Sequence, residues 1–205
     1  MEITIPTEWE DITIETYIKL RPALNTKTNE IERLINILCV LSDRKRQEVE
    51  KLTITQYSDL ISKMRFLNKD LPTKVKSNVF KVGESWYEFC LKPDGILFGE
   101  YISIMEILEK ANNNEEMLFN NLHNFLTVIC RPIKKRWWGY KYIDVDTELI
   151  NKTADNFYRN MPITIAYPIA VFFSLNLETL TQVIKTSLES LIEKKAKMAQ
   201  VQMAR

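Results

Sequence analysis

The chain has 205 residues, of which 45% are hydrophobic and 27% charged, with 28 basic side chains against 27 acidic ones for a formal net charge of +1. That length suits one domain or two small ones, and the mix is that of a globular chain able to bury a sizeable core. The near balance of charge excludes a global attraction to nucleic acid or to an acidic membrane, so a case for either has to rest on a local patch.

Met1–Ile5 alternates like a short strand that Pro6 stops, and the opening MEITIPTEWED lacks the charged-then-apolar leader of a secretion signal. Thr13 is placed to cap a helix with Ile14, Tyr17 and Ile18 on one face. Asn29–Leu41 brings Ile31, Leu34, Ile35, Leu38 and Cys39 round at helical spacing, and the charged run Arg44–Lys51 reads as a short solvated helix or turn. Thr53 and Gln56 fit a capping box ahead of a second stripe, Ile54, Tyr57, Leu60, Ile61, Met64 and Leu67. The pattern T-I-x-x-Y-x-x-L opens both capped helices, and two copies fit shared capping chemistry better than a repeat array.

From Pro72 the character changes. Val75–Val82 and Ser85–Leu91 are strand-like and flank Gly83-Glu84, which predicts a hairpin with Trp86, Tyr87 and Phe89 as cover for one face. Lys92-Pro-Asp-Gly95 adds a turn signal. A helix follows from about Gly99 on Tyr101, Ile102, Met105, Ile107 and Leu108. After a break at 112–115, another runs from Glu115 to Ile129 with Met117, Leu118, Leu122, Phe125, Leu126 and Ile129 inward. Helix resumes over Thr147–Tyr158. The uncharged stretch Asn160–Leu177 then favours a buried helix, disturbed by proline in its first half, over a membrane span, because it carries Asn160, Thr164, Ser174, Asn176 and two prolines. A last helix from about Glu178 towards Lys197 carries the seam Leu177, Leu180, Ile184, Leu188 and Leu191, with cations at its end, where the helix dipole favours them. These patterns predict a mainly α chain with a small β-hairpin element, an α+β compact helical domain. Its parts are an N-terminal helical subdomain over 1–70 and a hairpin plus C-terminal helical subdomain over 71–205, joined as one unit.

Chemistry-bearing patterns are few. Glycines stand only at 83, 95, 99 and 139, and no phosphate-cradling loop, G-x-S-x-G or H-E-x-x-H occurs. The three cysteines, Cys39, Cys90 and Cys130, are far apart among apolar neighbours and read as reduced core thiols of a cytosolic compartment. His123, the one histidine, reads as a packing or hydrogen-bonding residue, and Asp144 and Asp146 as a turn and helix start ahead of a Mg²⁺ pair. No catalytic residue, cofactor or metal site is assigned, and a non-enzyme is expected.

The run Arg131–Tyr142, RPIKKRWWGYKY, is the unusual one. Lys134, Lys135 and Arg136 could meet phosphates while Trp137, Trp138 and Tyr140 stack on bases of a single strand, with Arg131 a further partner-contact candidate. Equally, the run could be a hairpin whose aromatics pack and whose cations stay wet or pair with Asp144 and Asp146, or a protein-binding patch. The second candidate surface is the seam Leu180, Ile184, Leu188 and Leu191, either monomer core or a docking face.

Four landmarks carry a resemblance: I-x-I-P-x-x-W-x-D-I-T-I-x-x-Y over Ile3–Tyr17, F-G-E-Y-I over Phe98–Ile102, L-H-x-x-L-x-x-x-x-R-P-I-K over Leu122–Lys134, and M-P-x-x-x-A-x-x-x-x-x-F-F over Met161–Phe173. Together they resemble a group of small proteins of tailed bacteriophages, crAss-like phages among them, described as tail-assembly chaperones or virion proteins. The resemblance covers most of the chain, but its motifs are short and structural in type. It implies a phage structural or assembly protein without catalysis, partnered by other phage structural proteins, in a homo-oligomer or ring, outside any membrane. It also implies the host cytoplasm during assembly, with retention in the virion as one outcome.

Overall fold

The computed structural model describes residues 3–26, 29–89, 97–111 and 115–175. Residues 3–7 form no regular element, so the short strand expected over Met1–Ile5 is absent from 3–5: among the described residues no neighbouring strand takes up its backbone groups. A 3-10 turn at Trp9–Asp11 follows, and the Trp9 indole donates to the Lys69 carbonyl at 2.9 Å while its ring meets Phe66 edge-on at 5.2 Å.

Helix α1 (Ile14–Asn25) starts where Thr13 Oγ1 accepts the Thr16 N–H at 3.2 Å. Asn29 caps α2 (Glu30–Ser42) in the same way, and Asp43 ends it in the left-handed region at φ 52. The charged run contributes only the one-turn α3 (Arg46–Val49), where Arg46 grips both Glu32 and Glu50. Thr53 and Gln56 form the full capping box of α4 (Ile54–Lys63), which tightens into a 3-10 turn over Met64–Asn68. The expected stripes are trimmed at their ends: Ile31 and Ile54 are exposed, since each lies in the first turn of its helix, outside the cover of its neighbours.

Strands β1 (Val79–Val82) and β2 (Ser85–Phe89) form the expected hairpin, shorter than its apolar runs, about Gly83 at φ 57. A Cβ at Gly83 would also meet Asn156 Oδ1 at 3.1 Å, so glycine is fixed there by conformation and by space. Helices α5 (Phe98–Ala111), α6 (Glu115–Asn120) and α7 (Leu122–Ile129) follow, the last two interrupted at Asn121 where a single helix was expected. On α5 Ile102 and Met105 are exposed and Ile104 is fully buried, so its predicted inward face is rotated; Met117 of α6 is exposed as well, whereas Leu122, Leu126 and Ile129 of α7 are buried as expected.

Strands β3 (Cys130–Arg136) and β4 (Gly139–Tyr142) form a second hairpin, and α8 (Thr147–Asn160) starts on Asp146, whose side chain accepts the Leu149 N–H at 2.7 Å. The apolar stretch is then helix α9 over 163–175. The two hairpins join through β2 and β3 into one antiparallel sheet of order β1-β2-β3-β4, with Trp86 opposite Ile133 and Phe89 opposite Cys130. The fold is a mainly helical α+β domain, with a four-stranded sheet in place of a lone hairpin.

One continuous core runs from Ile5 to Phe173 and draws on both the 1–70 and 71–175 segments. Its centre is an exchange between the start of α1 and the start of α9: Ile14 N–H donates to Met161 O at 3.0 Å and Ile163 N–H to Ile12 O at 2.7 Å. All four side chains, Ile12, Ile14, Met161 and Ile163, are fully buried. The sheet turns Phe80, Val82, Tyr87 and Phe89 towards the helices, where Tyr87 packs on Phe157 at 4.6 Å and Phe89 on Phe172 at 5.3 Å. Among the described residues, no helix is long and apolar enough to cross a membrane. Cys130 is buried and Cys39 half-buried, both unbridged; Cys90, the Lys92–Gly95 turn and the seam Leu180, Ile184, Leu188 and Leu191 lie outside the described residues.

Candidate interaction site

The basic aromatic run Arg131–Tyr142 folds as the β3–β4 hairpin, closed by a two-residue turn of Trp137 and Trp138 between Arg136 and Gly139. Gly139 holds φ 137, which an L side chain rarely adopts, so this glycine sets how the turn leaves β4. Trp137 is 95% exposed and Trp138 80% exposed. Burying such rings is worth about 2–3 kcal/mol each, so two of them bare at a tip are the strongest apolar signal on the surface. The expectation of packed aromatics therefore fails for this pair.

Alternation sorts the remaining residues onto two faces. Pairing sets Lys134 opposite Lys141 and Arg136 opposite Gly139, so Lys134, Arg136 and Lys141 share one face of the hairpin. All three are exposed, and none makes an ion pair among the described residues. Asp144 and Asp146 do not pair with them: Asp146 is spent on the α8 cap.

The other face is a closed arrangement. Ile133 is buried there, opposite Trp86 on one side and Tyr142 on the other. Lys135 Nζ lies 3.7 Å above the Trp86 ring. Tyr140 and Tyr142, edge to face at 5.9 Å, both donate their hydroxyls to the Glu88 carboxylate, which also accepts from Asn78 Nδ2 at 3.3 Å. The hydrogen bond to Glu88 and its negative charge push the Tyr140 phenol up to about 12. At the sheet end of the hairpin, Arg131 grips Glu100 of α5, with Nε to Oε1 at 2.9 Å and Nη2 to Oε2 at 2.8 Å.

The fold thus gathers Lys134, Arg136, Trp137 and Trp138 at one exposed end. It assigns Arg131 to a structural ion pair and Lys135 and Tyr140 to the opposite face. The sequence reading took Trp86 only as cover for the first hairpin, held Lys141 and Tyr142 within the run without naming them as contacts, and missed Glu88. The available signal was the period-two spacing of Trp86 with Glu88 and of Tyr140 with Tyr142, which marks shared faces but not which strands meet.

His123 packs on Tyr158 at 5.0 Å, its Nδ1 is buried without a hydrogen-bond partner, and burial holds its pKa below the ordinary value. Among the described residues, no group of three His, Cys, Asp or Glu side chains is arranged to hold a metal ion. An apolar cleft of about 260 Å³ lies between α5, α6, α7 and α9, walled by Leu118, Phe119, Phe125, Tyr167 and Phe173. Comparisons with protein-family models, with curated proteins and with solved structures return no match.

Proposed function

We propose that the chain is a non-catalytic virion or virion-assembly protein of a tailed phage that docks another polypeptide through the tip of the β3–β4 hairpin. The observation that carries this is the exposure of Trp137 and Trp138, at 95% and 80%, on the turn that closes β3 and β4. Trp and Arg are the side chains that anchor protein interfaces, and Arg136 stands next to the pair. The phage setting rests on the four landmarks. Their meeting in pairs, Glu100 with Arg131 and Ile14 with Met161, supports reading them as scaffold residues that hold a presenting surface.

Trp137→Ala with Trp138→Ala in the full chain tests the reading. The wild type should co-purify with a particle polypeptide from infected cells, and the variant should lose it while keeping its circular dichroism. Undiminished capture by the variant overturns the role of the tip. Mass spectrometry of purified particles separates a resident component from a chaperone that leaves. The second reading, a single-stranded nucleic-acid binder, is favoured by Lys134, Arg136 and Lys141, which make no ion pair among the described residues, and would show as oligonucleotide affinity that falls with salt.

A further inference from the structure

Resting on that docking reading, we infer that the segment received by the hairpin is acidic, and that its carboxylates lie across Lys134, Arg136 and Lys141 while an apolar side chain meets Trp137 and Trp138. Three cations share one face and have no counter-charge among the described residues. The pair Lys134 and Lys141 stand directly opposite each other, an arrangement that destabilises a hairpin when nothing neutralises it. On an edge strand such lysines deter pairing with a like strand. A two-fold contact between two copies would bring two Lys141 and two Lys134 together, so a two-fold pairing of two such tips does not fit.

Geometry also weighs against a nucleic acid. Single-strand binders set cations and stacking rings along one groove. Here Tyr140 and Tyr142 lie on the face opposite the three cations, with their hydroxyls committed to Glu88, whose carboxylate repels phosphate. The cationic face and the Trp turn sit on a projecting tip. An acidic segment with interspersed apolar residues needs only these two features together, and charge steering would speed its capture.

The test titrates the full chain with a short peptide of alternating Glu and Leu, its Gln-for-Glu copy and oligothymidylate, reading tryptophan emission. The Glu peptide is expected to bind. Lys134→Glu with Lys141→Glu should weaken it at least about tenfold, and raised salt should weaken it as well. The Gln copy should bind at least about tenfold more weakly. Equal binding of the Glu and Gln peptides, both lost in Trp137→Ala with Trp138→Ala, overturns the acidic preference and leaves polypeptide docking standing. Binding of oligothymidylate but neither peptide overturns both, as does binding of no probe by a tip that also captures nothing from infected cells. Circular dichroism of each variant separates lost binding from lost fold.

Discussion

Arg131 and Glu100 hold each other at two points across 31 positions, at 2.9 and 2.8 Å, and so pin the start of α5 to the β3 strand. Glu100 Oε2 accepts the Leu97 N–H at 2.7 Å as well, so one carboxylate orders the helix start and the strand together. With side chains only 18% and 27% exposed, the pair is shielded from the screening that makes most surface pairs negligible. Glu100→Gln should cost on the order of 2 kcal/mol in urea unfolding, and Lys63→Ala, which breaks an exposed pair with Asp59, under about 1 kcal/mol.

The two helix caps give a matched comparison. Thr53→Ala removes the side-chain half of the α4 capping box and keeps the Thr53 backbone N–H to Gln56 Oε1, while Thr13→Ala removes the single cap of α1. Each should cost about 1 kcal/mol. Thr53→Ser should restore most of the loss, measured as the shift in denaturant midpoint.

Phe157 is fully buried, with Tyr87 at 4.6 Å, and joins α8 to the sheet. Phe157→Ala should cost about 3–5 kcal/mol, enough to unfold a marginal domain at 37 °C. Phe157→Leu keeps much of the volume and should stay folded with a lowered Tm.

His123 is the chain's single histidine, and burial lowers its folded pKa below 6.5. Below pH 6.5 the unfolded chain then binds more protons than the folded one. Stability from this group is complete above that value and is lost as pH falls towards the folded pKa. Nearby Asp155 acts in the opposite sense and limits the effect. Tm should decline as pH falls below 6.5, and His123→Phe should flatten that slope.

Of the four tryptophans, Trp9 is buried and Trp86 lies half-buried beneath Lys135, while the tip pair is bare. Acrylamide should quench the Trp137 and Trp138 contribution freely. Trp137→Phe with Trp138→Phe should leave a blue-shifted, poorly quenched remainder.

What could be read in the sequence is what local chemistry dictates. Thr13, Thr53 and Asp146 start their helices because a side-chain oxygen reaches an N–H three residues on, and Gly83 marks its hairpin because a positive φ suits it. Mainly helical content with a small β part followed from the same periodicities. Illegible were the features set by distant partners. Nothing near Trp86 announces Ile133, so the joining of two hairpins into one sheet did not appear. Burial of Ile104 in place of Ile102 and Met105 depends on where α7 lies, and exposure of Ile54 on what fails to cover it. At the candidate site, the run 131–142 stood out by composition, but which of its cations are free and which are occupied is decided by Glu100, Glu88 and Trp86.

The seam between β2 and β3 bears on how quickly the chain reaches its native state. Each hairpin closes over a two-residue turn, an event of about 1–10 μs, but Phe89 meets Cys130 only after residues 90–129 have been brought round. Closure of that long excursion sets the tempo, so substitutions at Phe89 or Ile133 should slow refolding, whereas changes within either turn should chiefly alter unfolding.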